Sequence, residues 1–219
     1  WFTLRTMIKT GLCRKPMSPG YIQLMTDHLP DSWSLRENDE EYTPISRKLL
    51  EDPELLSDEV WRLFEVDTNA FGGYESPNTP LGFESWSAAL RRLSEEGHLD
   101  RNRLLDSSLS GLTMGFNNRA ITDYISFHNY LAPTSDEIIA RQQTYIDLMS
   151  NQASHVVTFA LKMLKAVDKA KAMDDAAFLA SVPCILTMRT KTQPKTGLAL
   201  MKRILKRNAD TAGLVARIA

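Results

Sequence analysis

Apolar residues recur along this chain at helical spacing. From about Leu81 onward the amphipathic segments come in pairs, each pair beginning roughly 34–40 residues after the last. The first members of the pairs start near Glu84, Asn117, Gln152 and Lys191, and the second members near Asp100, Thr134, Asp174 and Asp210. Ile121, Tyr124, Ile125 and Phe127 share one helical face; Ile138, Ile139, Tyr145, Ile146 and Met149 share the next. The alternation expected of strands is absent. Gly97, Pro133 with the capping-box sequence Thr134-Ser135-Asp136-Glu137, and the pair Asp174–Asp175 punctuate the segments. Links this short place consecutive helices antiparallel.

One helical hairpin cannot bury its own apolar face, so hairpins that repeat must stack and share a core. The pattern therefore predicts an all-α fold: an α-solenoid of stacked antiparallel helical hairpins over residues 81–219. Val156, Val157, Phe159, Ala160, Leu161, Met163, Leu164 and Val167 are apolar around most of the helix circumference, as a helix covered on two sides should be. Pro183 falls inside the apolar pattern Leu179, Val182, Ile185, Leu186 and predicts a kink, not a break. Residues 1–80 are less regular: short helices at Phe2 to Ile8 and Tyr21 to Leu29, then one or two from Leu49 to Phe64 interrupted at Pro53. They are expected to be degenerate repeats continuous with the array. The longest break, Asp67 to Gly82, reads as an inserted surface loop, and its glycines match no phosphate-binding pattern. The chain begins at Trp1 and ends in the apolar pattern Leu214, Val215, Ile218, Ala219, which suggests a piece of a longer protein.

Paired helices with an internal proline resemble the HEAT and armadillo class of repeats. More closely, Trp86, Ala89, Leu90, Leu93, Gly97, Leu99, Asp100, Arg101, Leu104 and Leu105, with Leu131-Ala132-Pro133-Thr134 and Glu137, Arg141, Tyr145, resemble a bacterial family of uncharacterised proteins with HEAT-like repeats. The resemblance covers roughly the C-terminal two thirds. It implies a cytoplasmic repeat protein of unassigned activity and carries no catalytic motif.

At 219 residues, with 43% apolar and 24% charged, the chain is long and apolar enough for a sizeable core. No stretch has the length and apolarity of a membrane span, and the N-terminus lacks the layout of a secretory signal. Cys13 and Cys184 are too few and too far apart in sequence for a disulfide framework or a cysteine zinc site, so a reducing compartment, the cytoplasm, is expected.

Charge is strongly partitioned. Residues 1–36 carry a net +3, residues 37–100 a net −11 and residues 101–219 a net +7. Between Arg189 and Arg207 lie seven bases and no acid. Lys202, Arg203, Lys206 and Arg207 occupy one arc of their helix, opposite Leu198, Leu200, Met201, Ile204 and Leu205. Lys162, Lys165 and Lys169 form a second row at i, i+3, i+7. These seven side chains are the candidate binding face, able to meet an acidic partner or phosphates if they line one groove; solvated helix faces filled by lysine and arginine are the plainer explanation. The acids Glu37, Asp39, Glu40, Glu41 and Glu51, Asp52, Glu54, Asp58, Glu59 lack the spacing of a calcium loop and are expected at solvated helix ends.

His28, His98, His128 and His155 show no metal-binding spacing, no serine sits in a nucleophile-elbow sequence, and Cys13 has no evident base. No cofactor, metal or catalysis is therefore expected. Trp33, Trp61 and Trp86 read as core anchors. The function these features favour is a non-catalytic scaffold that binds another protein. The alternative is a nucleic-acid binder, including a base-excision enzyme on HEAT-like repeats, which requires an aromatic and a carboxylate among the bases of one concave face. Oligomeric state is not readable.

Overall fold

The computed structural model describes residues 1–30, 43–72 and 84–207. Among these there is no strand, and no helix is long and apolar enough to cross a membrane. The expected helix at Asp210, the acids Glu37 to Glu41, Trp33, most of the 67–82 break and the apolar C-terminal pattern lie outside the described residues. The chain divides into two compact units, Trp1–Leu131 and Ala132–Ala219. That division falls inside the array expected over 81–219.

The first unit contains α1 (Phe2–Lys9), α2 (Pro19–His28), α3 (Ile45–Leu50), α4 (Val60–Arg62), α5 (Trp86–Glu95), α6 (Arg101–Ser110) and α7 (Asn118–Tyr130). The interruption expected at Pro53 is there: α3 ends, the chain restarts at Pro53, and a single π-helical turn, Leu55–Glu59, leads into α4. The later helices start where short polar side chains offer an acceptor to otherwise orphaned amides. Ser85 accepts from the amide of Ala88, Asp100 from Arg103, and Asn117 from both Arg119 and Ala120. Gly97, at φ +80°, ends α5 in a left-handed turn in which the amides of His98 and Leu99 both donate to the carbonyl of Leu93.

The unit is held by an aromatic cluster. Phe127 stacks on Phe71 at 4.6 Å, Phe71 on Phe64 at 5.0 Å, and Tyr124 meets Phe71 edge-on at 4.9 Å. Tyr124 donates its hydroxyl to the carbonyl of Leu63, and burial, followed by the Asp67 charge, raises its phenol above the ordinary value. Trp61 and Trp86 are both buried as expected, and the Trp86 indole donates to the carbonyl of Thr26 on α2. Gly111 is required by this packing, since a β-carbon there would overlap the Tyr124 ring. We expect Gly111→Ala to cost about 1–3 kcal/mol, the usual range for overpacking a dense core. All four tryptophans lie in residues 1–86, so urea unfolding followed by tryptophan fluorescence reports this unit; an unchanged midpoint would mean that the Tyr124 ring swings aside freely.

The second unit contains α8 (Ser135–Ala140), α9 (Gln142–Asp147), α10 (Ser154–Lys169), α11 (Asp175–Leu186) and α12 (Thr192–Arg207). The capping box forms as the sequence predicts: Thr134 accepts from the amide of Glu137, whose carboxylate accepts from the amide of Thr134. Asp174 caps α11 by accepting from Ala177. Pro183 lies inside α11, and the helix continues through it to Leu186. The apolar residues of α10 that were expected to be covered, Val156 to Val167, are all buried.

Polar contacts fix the directions of these helices. Gln193, near the start of α12, donates to the carbonyl of Ser154 and to the hydroxyl of Thr158, both near the start of α10. Arg207, at the end of α12, pairs with Asp168 near the end of α10. The two helices therefore run parallel, with α11 returning between them in sequence. Likewise Gln142, at the start of α9, accepts from the amide of Asp174, the N-cap of α11. Gly197 lets α12 approach α11 closely, because a β-carbon there would overlap the buried Ile185 side chain.

Candidate functional site

Along the contact between α10 and α12 the backbones leave a groove of about 260 Å³. Thr158, Leu161, Lys162 and Lys165 of α10 form one wall; Thr192, Gln193 and Thr196 of α12 form the other. The spacing explains the walls: Thr158, Lys162 and Lys165 lie one turn apart on α10, and Thr192 and Thr196 one turn apart on α12. Leu161 supplies an apolar floor. Gln193 is buried and fully engaged, donating to Ser154 and Thr158 and accepting from the Thr190 hydroxyl. It fixes the upper end of the groove and is unavailable to a ligand.

Ion pairs tie the same two helices together further along, beyond the residues that line the groove. Asp168, 6% exposed, holds Arg207 at 3.0 Å and Arg203 at 3.4 Å, and Arg207 also reaches Asp175 at 2.6 Å. Asp168 thus takes both guanidiniums that share the groove-side stripe of α12, and burying it without them would cost several kcal/mol of desolvation. Arg207 is the more firmly held of the two, since Arg203 remains about half exposed.

The seven bases picked out in the sequence consequently do not form one surface. Lys162 and Lys165 line the groove, and Lys169 continues their row one turn further on, exposed. Arg203 and Arg207 are tied to Asp168 and Asp175. Lys202 and Lys206 are exposed and without an ion pair among the described residues; on the helical wheel Lys202 sits opposite the buried Gly197, Leu200 and Ile204, and Lys206 is adjacent to it. Arg189, from the same acid-free stretch, lines a separate polar cavity of about 560 Å³ with Ser150, Asn151, Cys184 and Thr187. The sequence fixes each helix's own arc, but the acids that claim the arginines come from α10 and α11. Thr158, Thr192 and Thr196 carried no sequence indication, because a threonine on a helix is unremarkable until a second helix faces it.

The expectation that the acids of residues 51–59 are solvated holds for Glu51, Glu54 and Asp58, which are exposed, and is corrected for the other two. Asp52 and Glu59 are buried, at 6% and 0% exposure, around Arg5 of α1. Arg5 donates through Nε and one terminal nitrogen to Asp52 at 2.9 and 2.8 Å, and through the other to Glu59 at 2.7 Å. Lys9 adds a contact to Asp52 at 2.8 Å, and Lys15 bridges Glu54 and Asp58. Burial by itself would raise the Asp52 carboxyl; the hydrogen bonds and positive charges of Arg5 and Lys9 outweigh it and hold it at about 2. Tyr21 packs beside this cluster, its phenol raised first by burial and then by Glu59. The acids are buried because a base more than forty residues earlier in the chain neutralises them. The chain's own α1 is their partner, so the cluster is an internal clamp.

No curated protein and no solved structure matches the chain. A family profile does match, over residues 1–192 of the 219, and it spans the whole of the first unit and the second unit as far as the first residue of α12. The chain belongs to the family described as a domain of unknown function, DUF6493.

Proposed function

We propose that this protein is a non-catalytic scaffold of HEAT-like hairpins, stacked as an α-solenoid, that binds another protein through the groove between α10 and α12. The observation that carries the reading is the parallel pairing of α10 with α12 across the returning α11. Equivalent helices of successive hairpins lie side by side in this way in a stack, and the seam between them is an extended surface made of side chains from two repeats. The groove occupies that seam.

The nucleic-acid alternative asks for an aromatic platform beside the bases. The only Phe and Tyr side chains between residues 132 and 207, Tyr145, Phe159 and Phe178, are 0–4% exposed and packed in the core. No Phe or Tyr ring on the described surface of this unit is therefore open to a stacking base, which favours a protein partner.

A photoreactive amino acid placed at Lys165, in cells of the source organism, tests the reading. The expected product is a protein adduct absent when the same group replaces Thr3 on the exposed side of α1, and the purified adduct partner should rebind the unmodified chain. An adduct that disappears on nuclease treatment would overturn it.

A further inference from the structure

We propose that the polar cavity between the 150–154 loop and the segment joining α11 to α12 binds a small polyhydroxylated organic anion, a sugar phosphate or a sugar acid. This site is separate from the groove and independent of the scaffold reading. Its volume, about 560 Å³, lies within the roughly 300–1,000 Å³ usual for small-molecule sites. Ser150, Asn151 and Ser154 line it from the loop before α10, and Cys184, Thr187 and Arg189 from the end of α11 and the residues after it. A buried side chain fixes these two segments to each other. Gln193, 5% exposed, donates to the carbonyl of Ser154 at 3.1 Å and accepts from the hydroxyl of Thr190, which also lines the cavity. The space is therefore built into the docking of α12 on α10.

The lining carries charge of one sign. Among the described residues that form it none is an acid, and Arg189 is exposed and without an ion pair. Its planar guanidinium can offer two parallel N–H donors to a phosphate or a carboxylate. The hydroxyls suit another part of the ligand. Ser150 donates to the carbonyl of Asp147 at 2.8 Å, Thr187 to that of Cys184 at 3.1 Å, and Thr190 to Gln193. With its proton engaged, each of these oxygens can meet a ligand only as an acceptor. One cation beside three accepting hydroxyls fits a molecule that pairs an anionic group with several O–H donors. A bare anion would leave the hydroxyl oxygens to water, and a neutral sugar would leave the guanidinium unpaired. No aromatic side chain is among the lining residues, which weighs against a nucleotide.

Cys184 can report occupancy, because its exposed thiol lines the cavity while Cys13 belongs to the first unit. The full chain is labelled with a small maleimide in the presence of glucose 6-phosphate, glycerol 3-phosphate, gluconate, glucose or inorganic phosphate at millimolar concentration, and calorimetry gives each affinity. At least one of the first three is expected to slow labelling of Cys184 but not of Cys13, and to bind about tenfold or more tighter than glucose or inorganic phosphate. Gluconate matching the phosphates would support the proposal with a carboxylate as the anionic group. Arg189→Gln should weaken binding by about tenfold or more, the scale of a lost charged hydrogen bond. Thr187→Val, which removes an accepting oxygen, should weaken it several-fold, and Lys202→Gln, outside the cavity, should leave it unchanged. Protection by none of the three, equal protection by inorganic phosphate, or binding indifferent to Arg189→Gln would overturn the proposal. None of these results bears on cross-linking from Lys165, so the scaffold reading stands or falls separately.

Discussion

Replacing Arg5 by methionine is expected to cost about 3–5 kcal/mol at neutral pH, the range found when one member of a buried charge cluster is removed and its partners are left uncompensated. The size follows from what remains. Asp52 would lose two hydrogen bonds and Glu59 its 2.7 Å hydrogen bond, while both stay in the interior. The effect should also depend on pH with a definite sign. In the native chain the Asp52 carboxyl sits at about 2, below its ordinary 3.8. A depressed carboxyl contributes stability that is present above the unfolded value and is lost as pH falls toward the folded one. For Asp52 that is about 2 kcal/mol, lost between roughly pH 4 and pH 2. In Arg5→Met only Lys9 is left to hold the carboxyl down, so the depression shrinks, the native chain should weaken through this window more steeply than the variant, and the gap between them should narrow. Urea midpoints by tryptophan fluorescence at pH 7 and near pH 3 decide it. A gap that stays constant between the two would show that the cluster is held by packing and not by charge.

Phe127→Ala is expected to lose about 3–5 kcal/mol, the range for emptying a large aromatic position in a closed core. Phe127 is fully buried; its ring stacks on Phe71 and lies 6.1 Å from Phe64, which in turn stacks on Trp61. Removing the ring opens a hole that Phe71 and Phe64 cannot fill without breaking their contacts with Tyr124. Phe127→Leu keeps most of the volume and should lose much less. Because Trp61 belongs to the same stack, its emission should shift in the folded alanine variant before any unfolding. If Phe127→Ala and Phe127→Leu cost the same, ring stacking and cavity size are not what this position supplies.

The two predictions differ in how far they were readable beforehand. Phe127 stood on a helical face with Ile121 and Tyr124, so its burial followed from periodicity, although its partners Phe64 and Phe71 did not. Arg5 gave no such indication. Its position on α1 is periodic with Trp1 and Ile8, and only the π-turn at Leu55–Glu59 brings Glu59 beneath it. The acids of that stretch looked like solvated helix ends because nothing local neutralises them.

By itself the sequence determined the helices, most of their starts and the all-α class. Those features rest on short-range physics: Thr134, Asp174, Asp100 and Asn117 cap amides no more than three residues away, and apolar spacing marks a buried face whatever covers it. The tertiary structure alone decided which charges are free. Arg203 and Arg207 are indistinguishable from Lys202 and Lys206 in sequence; they are paired because Asp168 and Asp175 arrive from other helices. The groove arises the same way, since its two walls are separated by the whole of α11 in sequence and meet only because α10 and α12 pack in parallel. Electrostatic pairing and cavity shape depend on distances in space, and sequence separation carries no information about those until the helices have docked.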